Sequence, residues 1–297
     1  MKKILLLSTI FIAATACTQK EYTYYSKGVV LTEREVKDGV PHGTSKAFSP
    51  DGKVIEQAEY KHGKKEGASK QFYENGNVRS IQYFKDDKEN GKIERYYENG
   101  KIEYKGNYIN GKRNGVFESY YENGKLNDSI EYDNGNYNGH YKEFFEDGSL
   151  KIQREYLSVD GQTNIVNDFI ENFENGNIKV KGQKNNKGEY VGETIKYYEN
   201  GNIALKIIFD NNIPTNIEAF NEDNSKLISF NPNSKENISK IKEMKSGANP
   251  EKIRYNVQCY KSGKVTDKTI TYRNIERILF QDRKPSIVCY SSLLFDI

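Results

Sequence analysis

YYENGK stands at Tyr96–Lys101 and again, letter for letter, at Tyr120–Lys125. A fixed period decides architecture before any residue chemistry does, so the spacing of these two copies is the first thing to extend along the chain. The glycine of the hexapeptide serves as the marker. Gly28, Gly52, Gly76, Gly100, Gly124 and Gly148 fall at unbroken steps of 24. The steps then loosen to Gly176 and Gly201, and Asn224 in AFNEDNSKL stands where a ninth marker is due.

Each unit carries two turn signals. Asn-Gly between alternating residues is the strongest short-range hairpin signal, because a two-residue type I′ turn needs positive φ at both central positions. Asn75-Gly76, Asn99-Gly100, Asn123-Gly124, Asn175-Gly176 and Asn200-Gly201 supply it, with Asp51-Gly52 and Asp147-Gly148 as substitutes. About halfway through the unit comes a glycine pair four apart: Gly39/Gly43, Gly63/Gly67, Gly111/Gly115, Gly135/Gly139 and Gly188/Gly192. Asp87/Gly91 and Asn212/Asn216 keep that place with other turn residues. The runs between the two signals have strand length, so each repeat reads as two strands and two turns.

A two-residue loop at Asn99-Gly100 sets Tyr97 opposite Ile102, so the two share a face. The position two after the marker is Val30, Val54, Val78, Ile102, Leu126, Leu150, Ile178 and Ile203 in turn, always a branched aliphatic. Eight after the marker, Tyr60, Phe84, Tyr108, Tyr132, Tyr156 and Phe209 extend this apolar stripe. The first aromatic of the YY pair points to the opposite, charge-rich face. Its row is Tyr24, Phe48, Phe72, Tyr96, Tyr120, Phe144 and Tyr197, with Asn172 the exception. Repeats two strands wide space such rings about 10 Å apart. A row of this kind is either a ladder that stiffens a single-layer sheet or a binding surface.

The amino terminus, MKKILLLSTIFIAATAC, sets two lysines before an uncharged, mostly apolar run ending at Ala16 and then Cys17. It reads as a secretory signal over 1–16, too short to anchor by spanning a bilayer. A lipidated linker over 17–23 is expected to follow, then a repeat array over 24–230 and a capping segment over 231–297. In that last segment the pattern predicts a helix starting near Ser234, with Ile238, Ile241 and Met244 on one face and Gly247 after its end. Strands are expected near 253–260 and 264–272, with an apolar stretch at 275–280 and another strand near 287–290. A sheet built of repeats needs its open end covered, which is the role expected of this segment, with a separate small α+β module as the rival reading. Cys259 and Cys289 are candidates for a disulfide in an oxidising compartment or for two buried thiols.

The chain of 297 residues is 29% charged with a mean hydropathy of −0.86, yet it holds 23 Tyr and 14 Phe and a formal net charge of only +3. Disordered chains lack aromatics and carry a high net charge, so disorder does not fit. A near balance of charge also excludes the basic patch of a nucleic-acid binder. The row Glu74, Glu98, Glu122, Glu146, Glu174 and Glu199 belongs to turns, one per repeat, and offers none of the unequal environments of a glycosidase acid pair. His42, His62 and His140 read as loop surface without metal-ligand spacing. GNYINGKR at Gly106–Arg113 comes near a phosphate loop, but Arg113 stands where a Ser or Thr would hold magnesium. No cofactor is expected.

The unit YYENGKIEYKGNYINGKRNGVFESYYENGK, Tyr96–Lys125, resembles the MORN repeat variant found in bacterial secreted proteins and in the YwqK family described as antitoxins. The resemblance runs from about 24 to 225. It implies an elongated meander of antiparallel hairpins; with the period and the segment after 230, the expected fold is an all-β repeat of about 24 residues per two-stranded unit with a small α+β cap. It also implies an interaction or scaffold role for a protein or glycan partner, with an antitoxin or immunity role against a partner toxin as the alternative. The stretch ending at Cys17 resembles a bacterial lipobox, which implies a diacylglyceryl cysteine. Thr18 after it resembles the pattern of lipoproteins sent to the outer membrane. The expected protein is thus a non-enzymatic, lipid-anchored protein of the cell envelope.

Overall fold

The computed structural model describes residues 18–25, 28–229, 237–239, 242, 254–261 and 264–271. They fall into two compact units divided after Arg113. In the first, β1 (Gln19–Tyr24), β2 (Val30–Lys37), β3 (Val40–Phe48), β4 (Val54–Lys61), β5 (Lys64–Phe72), β6 (Val78–Lys85), β7 (Lys88–Tyr96), β8 (Ile102–Ile109) and the short β9 (Lys112–Arg113) each pair antiparallel with the next. The second holds β10 (Gly115–Tyr120), β11 (Leu126–Asp133), β12 (Asn136–Phe144), β13 (Leu150–Val159), β14 (Gln162–Asn172), β15 (Ile178–Lys184), β16 (Tyr190–Tyr197), β17 (Ile203–Asp210), β18 (Ile213–Phe220) and β19 (Lys226–Ser229), again paired in order. The all-β meander expected from the period is the observed fold.

The turns divide into two classes, and the division corrects the sequence reading. Within the hexapeptide the loop has three residues, Glu98, Asn99 and Gly100. Tyr97 N–H donates to Lys101 C=O at 2.8 Å and Gly100 N–H to Tyr97 C=O at 2.9 Å, with Gly100 alone left-handed at φ +83. This is a turn closed by a left-handed glycine and a bulge, so Asn99 needs no positive φ. The two-residue turns lie at the other end of each hairpin. There Asp38-Gly39, His62-Gly63, Asp86-Asp87, Asn110-Gly111, Asn134-Gly135, Asp160-Gly161 and Asn211-Asn212 carry positive φ at both positions. Gly188, expected among these, closes a three-residue loop instead, since its N–H donates to Asn185 C=O at 2.8 Å. Asn224 takes the marker's left-handed place at φ 65.

The extra loop residue moves the register by one. Tyr96, not Tyr97, lies across from Ile102, and the same holds for Tyr24/Val30, Phe48/Val54, Phe72/Val78, Tyr120/Leu126, Phe144/Leu150, Asn172/Ile178 and Tyr197/Ile203. The eight branched aliphatics are therefore cross-strand neighbours of the first-aromatic row, not of the second tyrosines. Further along the strand the expected apolar face does form: Ile93 pairs with Gly106, and Phe117 with Ile130.

The glycine pair also has two parts with two reasons. Its first member closes the two-residue turn. Its second lies across from the aromatic eight after the marker: Gly67/Phe84, Gly91/Tyr108, Gly139/Tyr156 and Gly192/Phe209. A ring lying over a glycine covers backbone that no side chain covers. At Gly139, φ is +120 and a Cβ would run into the Glu131 carboxylate, so only glycine fits.

Burial differs between the units. In the first, Val36, Ala58, Ser69 and Ile93 are the described residues that are buried. In the second the core thickens toward β17, β18 and β19. Ala204 and Leu205 are both buried, as are Leu227 and Ile228, so β17 and β19 are covered on both faces. The single-layer reading fails for those two strands.

Beyond the array, residues 237–239 and 242 are helical within the expected helix. Strands β20 (Arg254–Lys261) and β21 (Lys264–Thr271) form a hairpin. The expected cap is part of the sheet here, because β20 pairs with β19 through Ile228/Cys259 and Ser229/Gln258. Cys259 is 1% exposed and disulfide-bonded. Cys289, Cys17 and the segments expected at 275–280 and 287–290 lie outside the described residues.

The second tyrosine of the YY pair joins successive repeats. Tyr25 Oη donates to Phe48 C=O at 2.8 Å, Tyr73 to Tyr96 C=O at 2.6 Å, Tyr121 to Phe144 C=O at 2.7 Å and Tyr198 to Phe220 C=O at 2.8 Å. A net hydrogen bond of this kind stabilises by about 1 kcal/mol. Tyr73→Phe should accordingly lower stability by ~1 kcal/mol in chemical denaturation. Tyr83→Phe, on an exposed ring, should leave the midpoint unmoved; equal midpoints for both variants would show that the Tyr73 hydroxyl joins nothing.

Candidate binding face

Each ring of the first-aromatic row is the last residue of its strand: Tyr24 of β1, Phe48 of β3, Phe72 of β5 and Tyr96 of β7 in the first unit, and Tyr120 of β10, Phe144 of β12 and Tyr197 of β16 in the second. The three-residue loop places them there by claiming the next residue. Tyr24 is 57% exposed and the others are half-buried. Their face is the charged one. Tyr96 Oη donates to Glu94 Oε2 at 2.7 Å and Tyr120 Oη to Glu118 Oε2 at 2.7 Å. Glu94 in turn lies across from Lys105 on one side and Ile81 on the other, and Lys70 and Gln57 continue that line of residues. Lys181 Nζ sits 5.8 Å from the centre of the Tyr197 ring, within cation–π reach.

The sequence reading missed one member. Phe220 ends β18, lies across from Lys226, and receives the Tyr198 hydroxyl on its carbonyl as Phe48, Tyr96 and Phe144 receive theirs. Its signal was present in Asn224, four residues on, the spacing that separates Tyr96 from Gly100.

The rings that pack on one another belong to the opposite face. In the second unit Phe117, Tyr132, Tyr137 and Tyr156 form a run with centroids 5.0, 5.0 and 5.5 Å apart, and Tyr190 stacks on Phe209 at 5.1 Å. In the second unit the stiffening ladder thus lies on the face of the row eight after the marker, whose Tyr132, Tyr156 and Phe209 take part in it with Phe117, Tyr137 and Tyr190. Burial and the hydrogen bond to Glu143 push the Tyr141 hydroxyl far up on that same face.

The turn asparagines explain the rest of the hexapeptide. Asn99 Oδ1 accepts Lys101 N–H at 2.9 Å within its own loop. Asn77 Nδ2 donates to Glu98 C=O at 3.0 Å, Asn123 Nδ2 to Glu146 C=O at 3.1 Å, and Asn177 and Asn202 reach Glu199 and Glu222 in the same way. The repeated glutamates are parts of this turn ladder. Beside it Tyr121, Phe145, Glu146, Asp147 and Glu174 line a concavity of about 480 Å³.

Of the histidines, His140 lies 3.3 Å from Glu131. His42 lies on β3 rather than in a loop, and its ring meets that of His62 edge-on at 5.2 Å. Among the described residues no group of three or more His, Cys, Asp or Glu could hold a metal ion, and no helix is long and apolar enough to cross a membrane.

The Tyr96 hydroxyl is held up to about 12, first by its hydrogen bond to Glu94 and then by burial. A tyrosine that keeps its proton better when folded adds stability below its unfolded value of 10.0, and this is lost as pH rises toward about 12. In alkaline titration of tyrosinate absorbance, the difference between the parent and Tyr96→Phe should therefore appear near pH 12. Glu94→Gln should bring that difference back toward 10, the ordinary value; no movement would mean that Glu94 does not hold the proton.

The family model of the MORN repeat variant matches residues 41–62, 65–86, 89–110, 113–134, 137–157 and 190–211. No curated protein matches the chain. Among solved structures, a porin-like protein from Bacteroides uniformis is 12% identical, with 85% of this chain and 88% of that one covered and a TM-score of 0.18. The Tc holotoxin pore of Photorhabdus luminescens is 10% identical over 85% of this chain, which spans 14% of that chain, with a TM-score of 0.19. At those scores neither superposition bears on this chain. The break in the matches between 157 and 190 coincides with the loosened spacing and with the long strands β13 and β14. Six matched copies, each one hairpin turn with its flanking strands, make this chain one of the proteins built on the MORN repeat variant.

Proposed function

We propose that the chain is a non-enzymatic binding module of the cell envelope, held to a membrane by lipid on Cys17, whose charged face engages a protein partner through the first-aromatic row. MORN-variant arrays are repeat-based binding or scaffold modules. One observation carries the finer reading: the structural work of the repeat is done by other residues. The second tyrosines and turn asparagines join successive hairpins, and the apolar packing lies on the opposite face. The first rings recur at the same place in each repeat with a branched aliphatic beside them and charge around them. Aromatic side chains set among charges suit a protein surface, where one ring supplies apolar area and polar neighbours supply register. A glycan is the second ligand class such rings serve, and a partner toxin is the form of protein partner that the resemblance to antitoxins suggests.

Changing Phe48, Phe72 and Tyr96 together to Ser should abolish capture of the partner from envelope extracts while far-ultraviolet circular dichroism keeps the parent's β signal. Undiminished capture would remove the row from the interface, and loss of the β signal would make the rings structural. For the anchor, Cys17→Ser should release the chain from membranes and abolish palmitate labelling. If the parent takes up no label, the lipid assignment is wrong.

A further inference from the structure

The first strand has an open side. All six residues of β1, Gln19–Tyr24, are exposed, and among the described residues β1 pairs with β2 alone. A strand so placed presents unpaired N–H and C=O groups to any second strand, and proteins usually guard such edges with proline, a bulge or a lysine reaching outward. Here there is no proline, and the register with β2 runs without a shift from Gln19 to Thr23. The single lysine is turned inward: Lys20 Nζ lies 2.6 Å from Glu33 Oε1 on the neighbouring strand. Tyr22 and Tyr24, 43% and 57% exposed, stack on each other at 6.5 Å.

We propose that β1 pairs with β1 of a second copy of this chain, antiparallel about a two-fold axis. A two-fold axis perpendicular to a sheet keeps each side chain on its own face, so the residue on the axis lies across from its own copy. Placing Tyr22 there sets Glu21 of each copy across from Thr23 of the other, and Lys20 across from Tyr24. Every contact is then complementary. The Tyr22 and Tyr24 rings of both copies meet in one cluster on one face, and each Lys20 lies over a Tyr24 ring while its own Glu33 stays beside it. Placing Glu21 on the axis would oppose two like charges, and placing Lys20 there would do the same. We take Tyr22 as the axis because it keeps like charges apart and gathers both rings of each copy into one cluster.

The pairing has a consequence for the charged face. Tyr24 is the first ring of the row that continues through Phe48, Phe72 and Tyr96. A pair of chains joined at β1 presents these four rings twice, in mirror order, on one face. The dimer stands on the edge geometry alone and does not depend on what that face binds.

The test uses cysteine cross-linking in the full chain. Tyr22→Cys brings two thiols to directly opposed positions, where the Cα separation of an antiparallel pair suits a disulfide. Glu21→Cys, one residue away, points its thiol to the other face and across from threonine. Under mild oxidation Tyr22→Cys should give a covalent dimer well above the parent, and Glu21→Cys should not. In sedimentation, Tyr22→Ser combined with Tyr24→Ser should weaken self-association of the otherwise unaltered chain at least tenfold, with an unchanged β signal. Equal cross-linking at positions 21 and 22, or none at either, overturns the proposal and leaves β1 to a strand of some other protein.

Discussion

A left-handed residue four places after each first ring sets the phase of the whole array. Because Gly100 and its equivalents close a three-residue loop, the strand before the loop ends on the first aromatic and the second becomes a loop residue. There its hydroxyl can reach the main chain of the next repeat. The two-residue turns at the other ends return the chain in register, and glycines such as Gly139 let each strand bend under an aromatic ring. Lose the left-handed residue and the ring, the hydroxyl and the loop amide all point to the wrong place.

Burial is uneven along the chain, and the laces make up the difference. A hairpin alone buries too little apolar surface to offset the entropy of ordering it. In the first unit four described residues are buried, so most of what joins its repeats is polar: tyrosine to carbonyl, asparagine to carbonyl, and main chain to main chain, as where Gly111 N–H meets Glu89 C=O at 2.7 Å. Polar lacing fixes relative position with little help from shape, which suits a sheet whose faces both meet water. Toward β17, β18 and β19 the balance turns to hydrocarbon, with Ile207, Ala219 and Leu227 fully buried.

Period, strands and the first-aromatic row were legible because each leaves a mark at a constant interval. The loop class was not, because one dipeptide serves two geometries. Asn110-Gly111 is a two-residue turn with both residues left-handed, whereas Asn99-Gly100 ends a three-residue loop. What separates them is the side chain's use: Asn99 caps the N–H two residues on, and its neighbours in the next repeats hold a carbonyl. The second tyrosine was illegible for a related reason, since a main-chain acceptor leaves no trace in the letters. His42 and His62 came together because adjacent hairpins bring residues about one period apart side by side. That arithmetic was available from the markers, but which faces met was not.

The thickening of the core toward β19 has a bearing on how such a chain is made. Synthesis runs from the amino end, so the thinly packed hairpins of the first unit emerge while the hydrocarbon that seals the later strands has yet to be polymerised. Each early hairpin then rests on its own turns and on its bonds to the neighbouring hairpin. A sequence that has polar laces already in its early repeats and gathers its greasy residues late is suited to that order of assembly.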